Sequence, residues 1–200
     1  MRQPVAKITG RAALLARDDI DTDAIFPAQF LKKTGRSGMG VHLFADWVAA
    51  GHPEAAFVTA EHRVNILVAG RNFGCGSSRE HAVWALADHG IQAIVALSFG
   101  DIFRNNCVKN GIVAATVTPQ DHAALVLAVM SGSTALEMDI AACQLRVPGG
   151  PEVSFGLAAG HLAQLLSGED DITRTLRYAD AIAVHEAKVA SLAPWLQRLG

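Results

Sequence analysis

The sequence predicts an α/β domain built on a mixed sheet, and two observations carry that expectation. Between Asn65 and Val117 short apolar runs alternate with helix-like segments, the β-α-β-α-β order that right-handed crossovers fold into a parallel sheet. Beyond it, three short apolar segments gather around the turn Pro148-Gly149-Gly150, which reads as antiparallel pairing. Composition agrees. The chain has 200 residues, 50% hydrophobic and 18% charged, enough for one domain with a sizeable core and unlike a disordered chain. No repeat, low-complexity tract or Pro/Ser-rich linker divides it, so a single domain over residues 1–200 with C-terminal helices is expected.

The elements follow in order. Val5 to Leu15 reads as one strand or two, interrupted at Gly10. An acidic turn runs from Asp18 to Asp23, and a short helix is expected from Ala28 to Lys33. Thr34 to Gly40 carries three glycines in seven residues and reads as a mobile loop. Asn65 to Ala69 is a buried strand, followed by a glycine-rich turn from Gly70 to Gly76. Ser78 to His89 predicts a helix with Val83, Leu86 and Ala87 on one face and Gly90 as its stop. Ala93 to Leu97 and Ile112 to Val117 are further strands, with a helix from Asp101 to Lys109 between them. His122 to Met130, Ala158 to Leu166 and Tyr178 to Ala190 predict helices. Leu136 to Ile140, Cys143 to Val147 and Val153 to Phe155 predict short strands.

Several function classes drop out early. The net charge is −2 and the pI near 6.4, so nothing favours nucleic acid or an anionic membrane. The longest apolar run, Ala123 to Met130, is eight residues, far short of the roughly 20 a bilayer span needs. No secretory signal core follows the N-terminal charges. Cys75, Cys107 and Cys143 are odd in number and widely spaced, which fits neither a disulfide framework nor a zinc or iron–sulfur site. The reducing cytoplasm is the expected compartment.

The segment Gly70 to His81 carries the chemistry. It leaves a strand's C-terminal end and opens a helix, where α/β sheets bind ligands. Glycines allow close backbone approach, the free N–H groups of a helix start favour an anion, and Arg79 can grip a carboxylate. Ser77 and Ser78 place hydroxyls in that positive field, where a serine can act as base or nucleophile. The same residues read equally as a capping box, Ser77 to Glu80, which needs no catalysis. The glycine order matches neither a P-loop nor a dinucleotide fingerprint, and Glu80 stands where a nucleophile elbow needs its second glycine. In the acidic turn, Asp19, Asp21 and Asp23 begin like a calcium loop. Ala24 and Phe30 then occupy the positions that need Gly and Glu, so turn capping before Pro27 is the expected role.

Asp21 to Pro27, Asn72 to His81 and Ser98 to Phe103 together resemble the small subunits of 3-isopropylmalate dehydratase, separate-chain counterparts of the swivelling domain of aconitase. The likeness runs in order from about Lys7 to the segment Asp180-Ala181-Ile182-Ala183, and the block Gly-Cys-Gly-Ser-Ser-Arg-Glu-His is specific to that superfamily. It implies a three-layer β/β/α swivelling domain with a mixed, barrel-like sheet. It implies a hydro-lyase that isomerises 2-isopropylmalate and 3-isopropylmalate by dehydration and rehydration in leucine synthesis. The implied assembly is a heterodimer with a large subunit that holds a four-iron, four-sulfur cluster, and no cofactor sits on this chain.

By the same resemblance Ser77 is the base that moves the carbon-bound proton, and Arg79 stabilises its oxyanion and the substrate. Ser78 and nearby backbone such as Gly76 then contact a substrate carboxylate. A second substrate arginine falls on Arg36, with Lys32 and Lys33 as competitors, although a charge on a glycine-rich loop also reads as merely solvated. Leu31 lies where the family reads the substrate's side group, and an apolar residue suits an isopropyl better than a carboxylate. The segment from Trp47 to Val64 departs from the pattern, being short and Ala/His-rich. Two alternatives therefore stay open: a paralogous hydratase acting on another branched malate or citraconate-type diacid, and a non-catalytic assembly module for a large partner.

Overall fold

The structure is a computed structural model that describes residues 3–32 and 35–195. Residues 3–168 form one compact unit, and the segment from Glu169 onward belongs to a second. In the first, seven strands make one mixed sheet: β1 (Lys7–Leu15), β2 (Ile66–Ala69), β3 (Ala93–Ala96), β4 (Val113–Thr116), β5 (Ala135–Asp139), β6 (Gln144–Arg146) and β7 (Glu152–Ser154), in the order β4-β3-β2-β1-β5-β6-β7. The first four are parallel and the last three antiparallel.

β1 joins the two halves. Its first residues, Lys7 to Arg11, pair antiparallel with β5, and Ala12 to Leu15 pair parallel with β2. Gly10 does not interrupt the strand, contrary to the sequence reading. It makes room instead: a Cβ there would lie 1.7 Å from Asn65 Oδ1. That amide donates to the Thr9 carbonyl (3.1 Å) and to Gln92 Oε1 (2.9 Å), tying the start of β2 to its neighbours.

The parallel strands are buried on both faces, as parallel sheets require. One face, with Leu67, Ile94 and Ala114, packs under α3 (Glu80–His89) and α4 (Asp101–Lys109) through Val83, Leu86, Phe103 and Cys107. The other face, with Ile66, Val68, Val95 and Val113, shares a second core with Met138, Leu145 and Val153 of the antiparallel strands. Leu125 and Val129 of α5 (Pro119–Met130) and Leu165 of α6 (Ala159–Ser167) complete that core. Each leucine or isoleucine so buried contributes about 1.5–3 kcal/mol. The sheet curls until its ends meet, because Thr116 and Gly156 exchange backbone hydrogen bonds of 3.1 and 2.6 Å. This is the mixed, barrel-like sheet with a helical layer that the resemblance implied.

The smaller elements lie between β1 and β2: α1 (Thr22–Ile25), α2 (Ala45–Ala49) and short 3-10 turns at Ala28–Phe30, Gly40–His42 and Pro53–Val58. The helix expected over Ala28 to Lys33 is thus a single 3-10 turn over its described part, and Lys33 lies outside the described residues. The second unit contains α7 (Asp171–Leu176), which the sequence reading missed, and α8 (Ala179–Leu192). Asp170 caps α7 by accepting from Thr173 N–H at 2.7 Å.

Candidate active site

The loop after β2 is pinned on both sides by backbone hydrogen bonds. Phe73 N–H donates to Ser98 O and Gly100 N–H to Phe73 O, both at 3.0 Å, tying it to the loop after β3. Gly74 N–H donates to Ile20 O (2.7 Å) and Thr22 N–H to Cys75 O (3.0 Å), tying it to the acidic turn. Gly74 has φ +72°, and a Cβ there would sit 2.1 Å from the Phe103 ring, so only glycine fits. Asp19 and Asn72 also take positive φ, 56° and 57°, and Asn72 Nδ2 donates to Asp19 Oδ1 at 2.7 Å. Short Asx side chains tolerate that region better than most.

Past Gly76 the chain turns outward. Gly76, Ser77 and Ser78 are exposed and Arg79 is half-buried. Here the structure corrects the sequence reading. α3 begins at Glu80, not Ser78, and Arg79 is an extended N-cap with ψ 105° and no side-chain cap. The capping box does not form. Glu80 Oε1 accepts instead from Trp84 Nε1 (3.1 Å) and from Asn110 Nδ2 at the end of α4 (2.8 Å), so it does not reach back to Ser77. The Ser77 hydroxyl lies 3.3 Å from Thr22 Oγ1. It is not spent on capping, and the positive end of a ten-residue helix opens beside it.

Two residues enter the site that the sequence reading treated only as turn formers. Thr22 is 2% exposed, and its hydroxyl reaches both the Ser77 hydroxyl and, at 3.2 Å, the Ser77 carbonyl. Asp21 holds Thr22 in place by capping α1, accepting from Ala24 N–H at 2.7 Å. Asp23 forms an ion pair with Arg79 and accepts from Ala28 N–H at 2.9 Å. Arg79 is thereby aimed by one edge of its guanidinium, which carries five donors in all. The available signal was that Thr22 and Asp23 stand in the first of the three motif blocks.

Arg36 is exposed, with its guanidinium 5.0 Å from the centre of the Trp84 ring. Leu31 ends the 3-10 turn after Pro27 and is half-buried against the core around Phe26 and Phe30. Lys32 is exposed. Burial raises the Cys75 thiol pKa, and the Asp21 and Asp19 carboxylates add to the shift, which disfavours the thiolate a nucleophile needs. Among the described residues no group of three or more His, Cys, Asp or Glu side chains is placed to hold a metal ion, and Cys107 is wholly buried. A cleft of about 610 Å³ lies elsewhere, lined by residues of α2, the 3-10 turns and the end of α3.

Comparison with known proteins agrees with this geometry. The aconitase C-terminal domain family matches residues 2–120, and the family of the C-terminal domain of the 3-isopropylmalate dehydratase small subunit matches residues 171–198. A 3-isopropylmalate dehydratase small subunit of Mesorhizobium japonicum is 45% identical, covering 94% of this chain and 97% of that protein. Small subunits of the same name from Agrobacterium fabrum (43% identical; 94% and 97% covered) and Shewanella oneidensis (42%; 94% and 98%) are similarly close. The crystal structure of a 3-isopropylmalate dehydratase from Methanocaldococcus jannaschii superposes with a TM-score of 0.65 at 27% identity, covering 91% of this chain and 98% of that one. An aconitase-type sheet with its serine pair at the head of α3, and relatives matched over nearly their whole length, show that the chain belongs to the 3-isopropylmalate dehydratase small-subunit family.

Proposed function

We infer that this chain is the small subunit of 3-isopropylmalate dehydratase, a hydro-lyase that interconverts 2-isopropylmalate and 3-isopropylmalate by dehydration and rehydration in leucine synthesis. The observation that carries the reading is the uncapped Ser77 hydroxyl, set beside Arg79 at the N-terminus of α3. In dehydration, Ser77 Oγ as the oxyanion takes the proton from the substrate carbon. The C–H electron pair becomes the alkene bond, and the hydroxyl leaves from the neighbouring carbon. Arg79 and the α3 N-terminus hold the oxyanion, and Thr22 orients the hydroxyl. Ser78, Gly76 and Arg36 bind the substrate carboxylates, and Leu31 meets the isopropyl group. In rehydration Ser77 gives its proton to the carbon that lost the hydroxyl, and hydroxide adds to the carbon that lost the proton, which yields the other isomer.

The partner is a large subunit, in a heterodimer within the cytoplasm. Its four-iron, four-sulfur cluster supplies the Lewis acid that assists hydroxyl departure. The exposure of Ser77 and Ser78 supports this division, since a proton acceptor open to water needs a second surface to exclude it.

Ser77→Ala tests the assignment. With the large subunit present, kcat is expected to fall by about 10²–10⁴ while the complex still assembles. Because Ser77 caps no helix, the unfolding free energy of the variant is expected to change by less than about 1 kcal/mol. Near-normal turnover would remove Ser77 from the chemistry. A preference of the wild-type complex for a shorter methylated malate, by more than about tenfold in kcat/KM, would place the chain with a paralogous hydratase.

A further inference from the structure

We propose that Trp84 is a positioning residue for Arg36, its indole face setting the guanidinium beside the Ser77–Arg79 segment so that the arginine's edge meets a substrate carboxylate. The proposal rests on the functional reading above and adds to it the residue that places the second arginine.

Glycines give the backbone of the loop that bears Arg36 wide conformational freedom. Gly35 and Gly38 flank the arginine, and Gly38 takes φ +72°. The loop is fastened beyond it by Met39, buried in the core, and by Gly40, whose N–H donates to Asp88 Oδ2 at 2.8 Å. Arg36 over Trp84 and Gly40 on Asp88 therefore track the same stretch of α3, the two contacts lying four residues apart on the loop and on the helix alike. Trp84 is itself one turn, about 6 Å, along the helix from Glu80.

The indole is immobilised from two sides. Its Nε1 donates to Glu80 Oε1 (3.1 Å), and that oxygen also accepts from Asn110 Nδ2 (2.8 Å), which in turn donates to the Asn106 carbonyl (2.9 Å). The His81 ring lies 4.8 Å away, centre to centre, tilted by 51°. A chain of contacts thus runs from the end of α4 through Glu80 and Trp84 to Arg36. The Arg36 guanidinium carbon lies 5.0 Å from the centre of the indole ring, a cation–π distance. Such a contact consumes no hydrogen-bond donor, so the guanidinium N–H groups stay available for a carboxylate. Glu80, freed from the capping box, has its role here.

The test is a double-mutant cycle in the complex with the large subunit: wild type, Arg36→Met, Trp84→Leu and the double variant, with Trp84→Phe as the conservative change. Arg36→Met is expected to raise KM for 3-isopropylmalate by about tenfold, the loss of one charge-assisted contact. Trp84→Leu is expected to raise KM at least threefold with kcat within twofold of wild type, Trp84→Phe to recover most of that loss, and the double variant to be no worse than Arg36→Met alone. Equal effects of Trp84→Leu in the presence and absence of Arg36 would reduce Trp84 to packing and overturn the proposal.

A second measurement needs no turnover. In a chain carrying Trp47→Phe and Trp195→Phe, Trp84 is the sole indole. Arg36→Met is then expected to shift its fluorescence emission, and an unchanged spectrum would overturn the contact even if Trp84→Leu failed to assemble. Lack of wild-type activity on isopropylmalate would refute the substrate reading alone, because the fluorescence result stands apart from it.

Discussion

A cysteine two residues ahead of a serine pair invites a nucleophile, and its surroundings decline the part. Burial and the carboxylates of Asp21 and Asp19 raise the Cys75 thiol pKa, and complete burial raises that of Cys107 beyond reach. A raised thiol pKa means less thiolate at any pH below it, so reaction with a disulfide reagent is expected to be slow at neutral pH. The Cys75 rate should keep rising with pH past the ordinary thiol range of about 8.5. In the native chain Cys75 and Cys143 are expected to label and Cys107 only after denaturation, as peptide mapping of labelled protein would show. Rapid, stoichiometric labelling of Cys75 at pH 7 would contradict this. The Gly-rich block and the family resemblance drew attention to Ser77 and Arg79 in the sequence. Thr22 was not, because its link to Ser77 crosses 55 positions of chain.

Helix starts show where local pattern ends and tertiary structure takes over. α5 begins at Pro119, three residues before the sequence reading placed it, because Thr118 is its N-cap. Thr118 Oγ1 accepts from Asp121 N–H at 3.2 Å and donates to Asp121 Oδ2 at 2.8 Å. Thr118→Ala is expected to cost about 0.5–2 kcal/mol, read as a lower urea midpoint with an unchanged slope. The signal for that cap, Thr-Pro with an acidic residue in the first turn, stands in the sequence, but the reading passed over it. The start of α3 was not. Ser77 and Glu80 match a capping box letter for letter, but Trp84 and, thirty residues on, Asn110 draw Glu80 away. The strands were read to within a residue or two because period and burial are local, whereas Gly10 misled because its partner Asn65 is remote.

At the scale of the molecule, the fully packed core belongs to residues 3–168, with Leu165 its last member. α7 and α8 contain no buried residue. A chain ending at Gly168 is therefore expected to keep a single cooperative unfolding transition, with a midpoint within a few degrees of the full chain and only the helical circular dichroism reduced. Loss of cooperativity would show that the second unit contributes to the core. The α/β class and the switch from parallel to antiparallel pairing were legible from composition and order of elements. The closure at Thr116 and Gly156 was not, since a single bridge between segments forty residues apart leaves no periodic trace.

The shared strand β1 has a consequence for synthesis. It leaves the ribosome before either strand it pairs with, since those partners lie past position 65 on one side and past position 134 on the other. Until both arrive, a largely apolar strand waits with its backbone groups unpaired. Loop closure over such spans is slow compared with local helix formation, so the nascent chain passes through a long interval in which aggregation competes with folding. Chaperone holding during that interval is expected to raise the yield of folded protein.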